Sequence, residues 1–329
     1  MSSVQTLGIG NAIVDIISQV TDAELGELGL RKGGMTLIDE GMAEKLSRRP
    51  PIRLKSGGSV ANTMAIMGLT GSKVAFIGRI ADDPFGQIFS EDLTKDGVTF
   101  CRVNGMPTPM TARSFVMVTP DAQRTMATFL GEAGQLSAHR LPLEPISESQ
   151  FLFLEGYLWD QGTTTAALCK AIAVAKAAGT KIAFTVSDGF CVERHRADFM
   201  ALLEKEADVL FANEQELLHL FESETFDTAF MRLLEKTAKR PDLIVAITRS
   251  EQGAVVVRGH DVDVVPTVPV VNLVDTTGAG DAFAAGFLQG LCQGDALSTC
   301  AKRGHWYAGQ IVQVVGARSE NLKPFTTQS

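Results

Sequence analysis

The chain has 329 residues, a formal net charge of −8 and 45% hydrophobic residues. This composition is typical of a globular protein and disfavours nucleic-acid binding, which depends on cationic contacts to phosphates. No apolar stretch approaches the roughly 18 residues of a membrane span. We therefore expect neither a membrane nor a nucleic-acid partner. The five cysteines are odd in number and show no C-x-x-C spacing, which favours reduced thiols in a cytoplasmic protein. A monomer or a homodimer is expected.

Short apolar runs rich in β-branched residues alternate with amphipathic segments along most of the chain. Strands that are buried on both faces and joined by helical crossovers pair in parallel. The alternation therefore predicts an α/β fold with a doubly wound, mainly parallel sheet and helices on both faces. The predicted strands are 7–9, 74–77, 151–154, 182–186, 209–212 and 243–248, and the predicted helices between them are 59–70, 84–96, 162–178, 195–206, 214–221 and 227–239. A hairpin over 253–265 and two helices, 281–292 and 296–315, are predicted to complete the fold.

Two regions break this alternation. Residues 13–20 and 34–39 are predicted to pair as strands, and residues 98–103, 111–119 and 125–130 to form a meander. We expect these segments, within about 13–50 and 98–131, to form a small β-sheet that covers a site as a lid. Because no Pro, Gly and Ser-rich linker interrupts the chain, residues 1–329 are predicted to form a single domain with the lid inserted in its α/β core.

The segment 274–283 carries the strongest chemical signal. Gly278, Ala279 and Gly280 allow a tight turn with outward-pointing N–H groups, directly before an apolar helix pattern. The first N–H groups of a helix lack internal partners, so such a turn can bind an anion. Asp281 in the first helical turn could simply stabilise the helix. Beside an anion-binding turn it could also accept the proton of a hydroxyl that attacks a phosphoryl group.

Three motifs along the chain resemble one known family. The sequence D-T-T-G-A-G-D-A-F at 275–283 closely resembles the second signature of the ribokinase-like (PfkB) family of sugar and nucleoside kinases. The sequence G-G-S-V-A-N-T at 57–63 is similar to its first signature, and 78–86 resembles its G-x-x-G-D-D-x-F-G region with Ala81 in place of one glycine. The resemblance implies a ribokinase-like fold and ATP-dependent phosphoryl transfer to a hydroxyl, with Asp281 as the catalytic base and the 278–280 amides binding the phosphate.

The resemblance also implies a sugar-binding set close to the first predicted strand. In G-N-A-I-V-D at 10–15, the Asp and Asn occupy the positions at which family members bind ribose, although a lone strand-end Asp is also compatible with an exposed position. An Asn in the first signature can donate to and accept from a sugar diol, and it could equally cap a helix. The implied substrate-binding residues are Asn11, Asp15, Gly57, Gly58, Ser59 and Asn62.

The details of these motifs are more similar to adenosine kinases than to ribokinases, which carry G-G-K where this chain has G-G-S. Tyr157 falls where adenosine kinases place an aromatic residue against the base. Phe115 and Phe129 are alternatives, and all three could be ordinary core residues. The implied reaction is phosphorylation of the 5′-hydroxyl of adenosine. A ribose or fructose kinase and a non-enzymatic nucleoside-binding regulatory protein remain as alternatives.

Two further stretches resemble the nucleotide-binding elements of the family. In N-E-Q-E at 213–216, Asn213 and Glu216 are implied to orient water molecules bound to Mg²⁺ at the nucleotide phosphates, although the same spacing forms a capping box. In T-R-S-E-Q-G at 248–253, Thr248 and Gly253 are implied to contact the nucleotide, and Ser250 replaces a family glycine. Gly278 and Gly280 are implied to contact it too.

The resemblance implies two more features of the phosphate site. Arg124, on the expected lid, lies where adenosine kinases carry an arginine that meets the transferring phosphate, although it could also be a solvated turn residue. Asp275, Thr277 and Gly316 match the segments that line a potassium site in relatives.

Overall fold

The structure, a computed structural model, describes residues 4–103, 110–121 and 123–326. The strands of these residues are, in chain order, β1 (Val4–Ile9), β2 (Ile13–Gln19), β3 (Met35–Leu37), β4 (Arg53–Gly57), β5 (Val74–Gly78), β6 (Val98–Arg102), β7 (Ala112–Val118), β8 (Arg124–Phe129), β9 (Ser149–Glu155), β10 (Lys181–Thr185), β11 (Val209–Asn213), β12 (Ile244–Thr248), β13 (Ala254–Arg258) and β14 (Asp261–Val265). The α-helices are α1 (Asp22–Glu27), α2 (Glu40–Ser47), α3 (Ser59–Leu69), α4 (Pro84–Lys95), α5 (Glu144–Glu148), α6 (Gly162–Ala178), α7 (Gly189–Ala201), α8 (Glu214–Leu220), α9 (Phe226–Lys239), α10 (Ala279–Gln293) and α11 (Leu297–Ile311).

The main sheet confirms the predicted doubly wound architecture. Its strand order is β14-β13-β12-β11-β10-β9-β1-β5-β6, parallel from β12 to β6 and closed at the other edge by the antiparallel β13–β14 hairpin. The chain reverses direction across the sheet at β1, which lies between β9 and β5. In open α/β sheets, ligands bind at such a reversal, outside the carboxyl ends of the strands.

Hydrophobic layers cover both faces of the main sheet. Alternation along β9 directs Phe153 into the layer formed with α3 and α10, and Leu152 and Leu154 into the layer formed with α6 to α9. On the first face, the ring of Phe211 contacts both Phe153 and Phe287 edge-on. This packing sets α3 beside α10, so that the starts of the two helices lie together.

The second sheet has the order β3-β8-β7-β2-β4 and corrects part of the predicted lid. Residues 98–102 do not belong to it, because the crossover helix α4 returns the chain in parallel to β5, and β6 therefore forms the edge of the main sheet. The predicted pairing of segments 13–20 and 34–39 is also wrong, although both lie in this sheet. The first contains β2, which pairs with β4 and β7, and the second contains β3, which pairs with β8. The strand at 53–57 and the helices α1 and α2 were not predicted.

Two predicted helices have different bounds in the structure. The side chain of Asp188 accepts a hydrogen bond from the Cys191 backbone N–H and so caps α7, which begins at Gly189 rather than 195. The last helix ends at Ile311 rather than 315. None of the helices in the described part of the chain is long and apolar enough to cross a bilayer.

The residues of the 78–86 motif connect the small sheet to the core. Asp83 caps α4 by accepting from the Gly86 N–H at 2.7 Å, and it also accepts from the Thr111 N–H at 2.9 Å and the Thr111 hydroxyl at 2.6 Å. Arg113 on β7 donates to the same carboxylate at 3.3 Å. Asp83 therefore joins the start of α4 to the beginning of the small sheet's central hairpin, β7–β8.

Candidate active site

Asp281 lies in the first turn of α10, where two side chains of α3 hold its carboxylate. The Ser59 hydroxyl donates to Oδ1 at 2.6 Å, and the Asn62 amide Nδ2 donates to Oδ2 at 2.9 Å. Burial raises the pKa of Asp281 to about 6, against the opposing effects of these two donors and of Arg318. A carboxylate that titrates near neutrality and is ionised above that pH is suited to general-base chemistry.

The turn before α10 depends on Gly278. This residue has φ of 77°, in the left-handed region, and a Cβ on it would stand 2.6 Å from Ala317. Only glycine adopts this conformation at such a close approach without strain. No side chain caps the start of α10, and the Ala279 N–H donates to the Thr276 carbonyl at 3.2 Å. Anion binding by the turn at Gly278, Ala279 and Gly280 stays a prediction.

The first signature and the 10–15 segment are neighbours in space. Gly58 has φ of 95°, and a Cβ there would collide with the backbone carbonyl of Asn11. Gly57 lies so close to the Asp15 carboxylate that any side chain there would overlap it. The backbone of the first signature therefore lies against Asn11 and Asp15, while its Asn62 contacts Asp281. Sugar binding by these residues stays a prediction.

Asp15 has acceptor capacity that the protein does not use. Of the described residues, none donates a hydrogen bond to its carboxylate, and burial raises its pKa to about 7, with Asp281 raising it further and Arg318 and Arg124 lowering it. A half-buried carboxylate without donors is unfavourable unless a ligand supplies them. A pair of sugar hydroxyls would supply them.

Glu155 is part of this site and was missed by the sequence analysis. It ends β9, the neighbour of β1, and its carboxylate accepts from the Asn11 N–H at 2.9 Å, the Asn11 amide Nδ2 at 3.0 Å and the Val60 N–H at 2.9 Å. Burial raises its pKa to about 7, and these donors lower it. Glu155 therefore fixes Asn11 and the start of α3. A charged residue directly after a buried strand was the signal that could have identified it.

Arg124, at the start of β8, connects the small sheet to the turn before α10. Its guanidinium donates to the Asp275 carboxylate and to the Thr277 hydroxyl. Asp275 also accepts from the Gly316 N–H at 2.6 Å and the Thr277 N–H at 2.9 Å, and these donors hold its pKa below the usual value despite the opposing effect of burial. The structure thus brings together Asp275, Thr277, Gly316 and Arg124 rather than leaving the arginine in solvent.

The register of the small sheet defines one continuous face. Asp15 pairs with Ser114, Ser114 with Thr128, and Thr128 with Leu37, so these four side chains form a row across β2, β7, β8 and β3. Strands lie about 4.8 Å apart, which separates Asp15 from Thr128 by roughly 10 Å. At the far end of the row, Leu37 is 50% exposed.

A cavity of about 370 Å³ opens at that end of the row. Most of its lining is apolar, and glutamine and glutamate residues add polar groups. The lining residues are Leu37, Ile38, Glu40, Met110, Thr128, Phe129, Leu130, Gly131, Glu132, Gly134, Gln135 and Gln161.

The three aromatic candidates for base contact differ in position. Phe129 lines the cavity, whereas Phe115 is 3% exposed and packs in the core, on the opposite face of β7 from Ser114. Tyr157 donates its hydroxyl to Asp188 at 2.8 Å. None of the hydrogen bonds or ring contacts described for Tyr157 reaches Asn11, Asp15 or Asn62, so its contact with a base stays a prediction.

Comparison with known proteins identifies the family. Residues 35–324 match the model of the pfkB family of carbohydrate kinases. The chain belongs to this family. The kinase is similar to the structure of a probable sugar kinase from Rhizobium etli, with a TM-score of 0.88 and 38% identity over 99% of this chain and 97% of that one. It is also similar to the structure of adenosine kinase from Sinorhizobium meliloti, with a TM-score of 0.87 and 41% identity over 97% and 96% of the two chains. Adenosine kinase from Saccharomyces cerevisiae is 25% identical over 94% of each chain.

These similarities confirm the predicted family, with its ribokinase-like fold and its resemblance to adenosine kinases. The protein is a phosphotransferase that acts on a hydroxyl group, and family membership implies ATP with a divalent metal ion as the phosphate donor.

Glu216 and Asn213 form a complete capping box at the start of α8. The Asn213 N–H and amide donate to the two oxygens of Glu216 at 2.8 and 2.6 Å, and Asn213 Oδ1 accepts from the Glu216 N–H at 2.9 Å. Burial, together with Asp188 and Asp281, raises the pKa of Glu216 to about 8. With both oxygens occupied, Glu216 fits Mg²⁺ only through water, a role that stays a prediction.

The side chains of the described residues do not form a metal site on their own. Over the described ranges, no three His, Cys, Asp or Glu side chains lie close enough together to hold a metal ion. Asp275 offers a carboxylate for the predicted potassium site, but a cation there would share its oxygens with Gly316, Thr277 and Arg124. Magnesium usually keeps several waters and binds through substrate phosphates, so few protein ligands are required for it.

The predicted nucleotide loop follows β12. Thr248 ends that strand, and Ser250, which replaces the family glycine, has φ of 49°. It therefore adopts the left-handed conformation that glycine would adopt at lower cost. Gly253 leads into β13 with φ of 85°. Nucleotide contact by Thr248 and Gly253 stays a prediction.

Proposed function

We propose that this kinase transfers the γ-phosphoryl group of ATP to the 5′-hydroxyl of adenosine and so produces AMP. Asp15, Asn11 and Asn62 bind the ribose, with Gly57, Gly58 and Ser59 forming the adjoining wall. Asp281 accepts the proton of the attacking hydroxyl, and the N–H groups at 278–280 stabilise the charge on the transferring phosphate. Arg124 meets that phosphate from the small sheet, which acts as a lid.

The observation that carries this proposal is the row of side chains from Asp15 to the apolar cavity. Asp15 has free acceptors for two hydroxyls, and the cavity begins at Thr128, roughly 10 Å away on the same face. That separation is comparable to the length of a nucleoside, with ribose at one end and base at the other. A bare sugar bound to Asp15 would leave the cavity unfilled.

The chemistry of the cavity agrees with a purine rather than a second sugar. Leu37, Met110 and Phe129 present apolar surface in its lining, and Leu37 is 50% exposed. Covering such surface with a flat base is favourable, at about 25 cal/mol per Å² buried. A further sugar ring would instead need many hydrogen-bonding partners there.

The nucleotide and its cation complete the proposed site. Asn213 and Glu216 orient water molecules around Mg²⁺ at the phosphates, and Thr248 and Gly253 contact ATP beside the main sheet. When bound, Mg²⁺ would neutralise charge on the β- and γ-phosphates. A potassium ion near Asp275, Thr277 and Gly316 would add positive charge beside the anion-binding turn.

A substrate panel tests the proposal. We expect ATP and Mg²⁺ to support phosphorylation of adenosine with a kcat/KM at least about 100-fold above those for ribose and fructose, since only adenosine fills the cavity. Equal or greater kcat/KM for either sugar would refute the adenosine assignment and favour a sugar kinase. Adenosine binding without any turnover would instead support a nucleoside-binding regulatory protein.

A further inference from the structure

Arg318 lies in the loop that follows α11, and its side chain is buried next to the proposed site. It is 4% exposed, and its Nε donates to Asn62 Oδ1 at 2.9 Å. Asn62 in turn donates from Nδ2 to Asp281 Oδ2 at 2.9 Å. A chain of two hydrogen bonds therefore connects Arg318 to the proposed catalytic base.

The far side of the guanidinium is held by β4 and α4. Its Nη1 donates to the Ser56 hydroxyl at 2.7 Å and to Asp96 Oδ2 at 3.2 Å, and Asp92 Oδ2 lies 3.8 Å away. Lys55 donates to Asp92 at 2.7 Å and so completes the charge network. These contacts fix the position of Nε, the atom that faces Asn62.

The burial of Arg318 in this charge network is not explained by a gain in folding stability. Arg318 Nη2 is buried and, within the described residues, has no hydrogen-bond partner. Buried ion pairs often contribute little net stability, and an unmade buried hydrogen bond costs about 1–3 kcal/mol. The position of Arg318 therefore calls for an explanation in the site that it borders.

The amide of Asn62 supplies that explanation. An asparagine side chain has nearly the same shape in two orientations, one offering oxygen and the other offering N–H groups to a given neighbour. Arg318 Nε can only donate, so Asn62 Oδ1 must face it, and Nδ2 must then face Asp281. In the opposite orientation, Asn62 Oδ1 would face the Asp281 carboxylate, and two acceptors would meet.

We propose that Arg318 is a positioning residue for phosphoryl transfer, which acts by holding the Asn62 amide in the orientation that donates to Asp281. Asn62 then keeps the carboxylate aimed at the attacking hydroxyl. This inference rests on the proposed function, because it concerns the orientation of the proposed base. Arg318 itself touches neither reacting atom in this mechanism.

A double-mutant cycle with Arg318→Met and Asn62→Ala tests the proposal. Methionine fills similar space without a donor, and a misplaced base lowers kcat by about 10- to 100-fold. In the Asn62→Ala background, we expect Arg318→Met to change kcat by less than about threefold, because residues in one network are not additive. The KM for ATP should remain close to that of wild type. Unchanged kcat in Arg318→Met, or equal losses in both backgrounds, would overturn the proposal.

Arg303→Met is a matched control for the loss of a buried arginine. Arg303 lies on α11, is 6% exposed, and bonds to Gln289, Gln293 and Asp295 rather than to the site. We expect its loss to lower the melting temperature while kcat stays within about twofold of wild type. A kcat loss in Arg303→Met as large as that in Arg318→Met would mean that general destabilisation explains both, and would contradict the inference.

Two further measurements keep the test decisive. If Arg318→Met does not fold, Arg318→Lys replaces it, because an ammonium cannot contact Asn62 and Asp96 in the same fixed fork. Wild-type kcat in a lysine variant that has lost the hydrogen bond from Asn62 to Asp281 would overturn the proposal. A neutron diffraction structure of the folded variant distinguishes the amide N–H groups of Asn62 from its oxygen. It should show that Asn62 Nδ2 no longer donates to Asp281, and an unchanged hydrogen bond would refute the inference. Wild-type protein inactive on adenosine, ribose and fructose would refute the proposed function instead, and the neutron structure would still decide whether Arg318 orients Asn62.

Discussion

Replacing Asp281 with asparagine removes the proposed base and keeps the shape of the side chain. Two neighbours donate to the wild-type carboxylate, Ser59 at 2.6 Å and Asn62 at 2.9 Å. The Asn62 Nδ2 can only donate, so the oxygen of the new amide would face it. The Ser59 hydroxyl can rotate and accept from the new amide N–H groups. Both contacts therefore survive, and we expect Asp281→Asn to fold and to bind substrate within a few-fold of wild type.

The loss of rate in this variant follows from the loss of proton acceptance. General-base catalysis contributes about 10²–10⁴ in rate, and each tenfold change corresponds to about 1.4 kcal/mol of barrier. The expected increase in barrier is thus about 3–5 kcal/mol, seen in kcat. The assay couples ADP release to an indicator at saturating adenosine and ATP, with calorimetry for the adenosine affinity.

Asp208→Asn is the matched control for Asp281→Asn. Asp208 accepts from the Ile182 N–H at 2.8 Å just before β11, at the end of the sheet opposite to the site. We expect this control to retain wild-type kcat. A kcat for Asp281→Asn within tenfold of wild type, with normal folding, would refute the role of Asp281 as base.

The remaining predictions concern the pH profile, the cavity and the lid. Burial raises the pKa of Asp281 to about 6 and that of Asp15 to about 7, and a base acts only when it is ionised. We therefore expect kcat/KM, measured across pH, to be level above pH 7 and to fall as the pH drops from 7 to 6. A flat profile down to pH 5 would contradict the assignment of Asp281 as the base. Leu37→Gln removes half-exposed apolar surface from the cavity, which costs about 1 kcal/mol of adenosine binding and should raise the KM for adenosine about fivefold. The control Ile52→Gln changes a residue that is 64% exposed and should leave that KM unchanged. Arg124→Gln removes the cation that meets the phosphate, so we expect kcat in steady-state assays to fall by about 100-fold with little change in melting temperature. An unchanged kcat would mean that Arg124 only contacts Asp275 and takes no part in phosphoryl transfer.

The elements predicted correctly from the sequence are those with strong local patterns. Fully buried strands read as continuous apolar runs, and the crossover helices have clear amphipathic periodicity, so β5, α3, α4 and α6 agree closely with their predicted bounds. The strand at 98–102 was assigned to the wrong sheet for a related reason. It forms the edge of the main sheet and is only partly buried, so its residue pattern resembles that of a strand in a small, half-exposed sheet.

The small sheet was harder to predict because its elements are short and polar. The strand β4, with the sequence R-L-K-S-G, resembles a loop, and it becomes a strand only because β2 pairs with it. The helices α1 and α2 have six and eight residues, too few to show a reliable period, and depend on caps at Thr21 and Asp39.

By itself, the sequence revealed the small-residue turn at 278–280 and the acid at 281, because both depend on local residue type and spacing. The polar set at 11, 15, 59 and 62 was implied by the resemblance of its motifs to the family. Only the tertiary structure decided which partners orient that chemistry. Glu155 lies 144 residues from Asn11, and Arg318 lies 256 residues from Asn62, and no local pattern encodes either contact. Such pairings arise when strand order and helix packing bring distant segments together, so they belong to the fold as a whole.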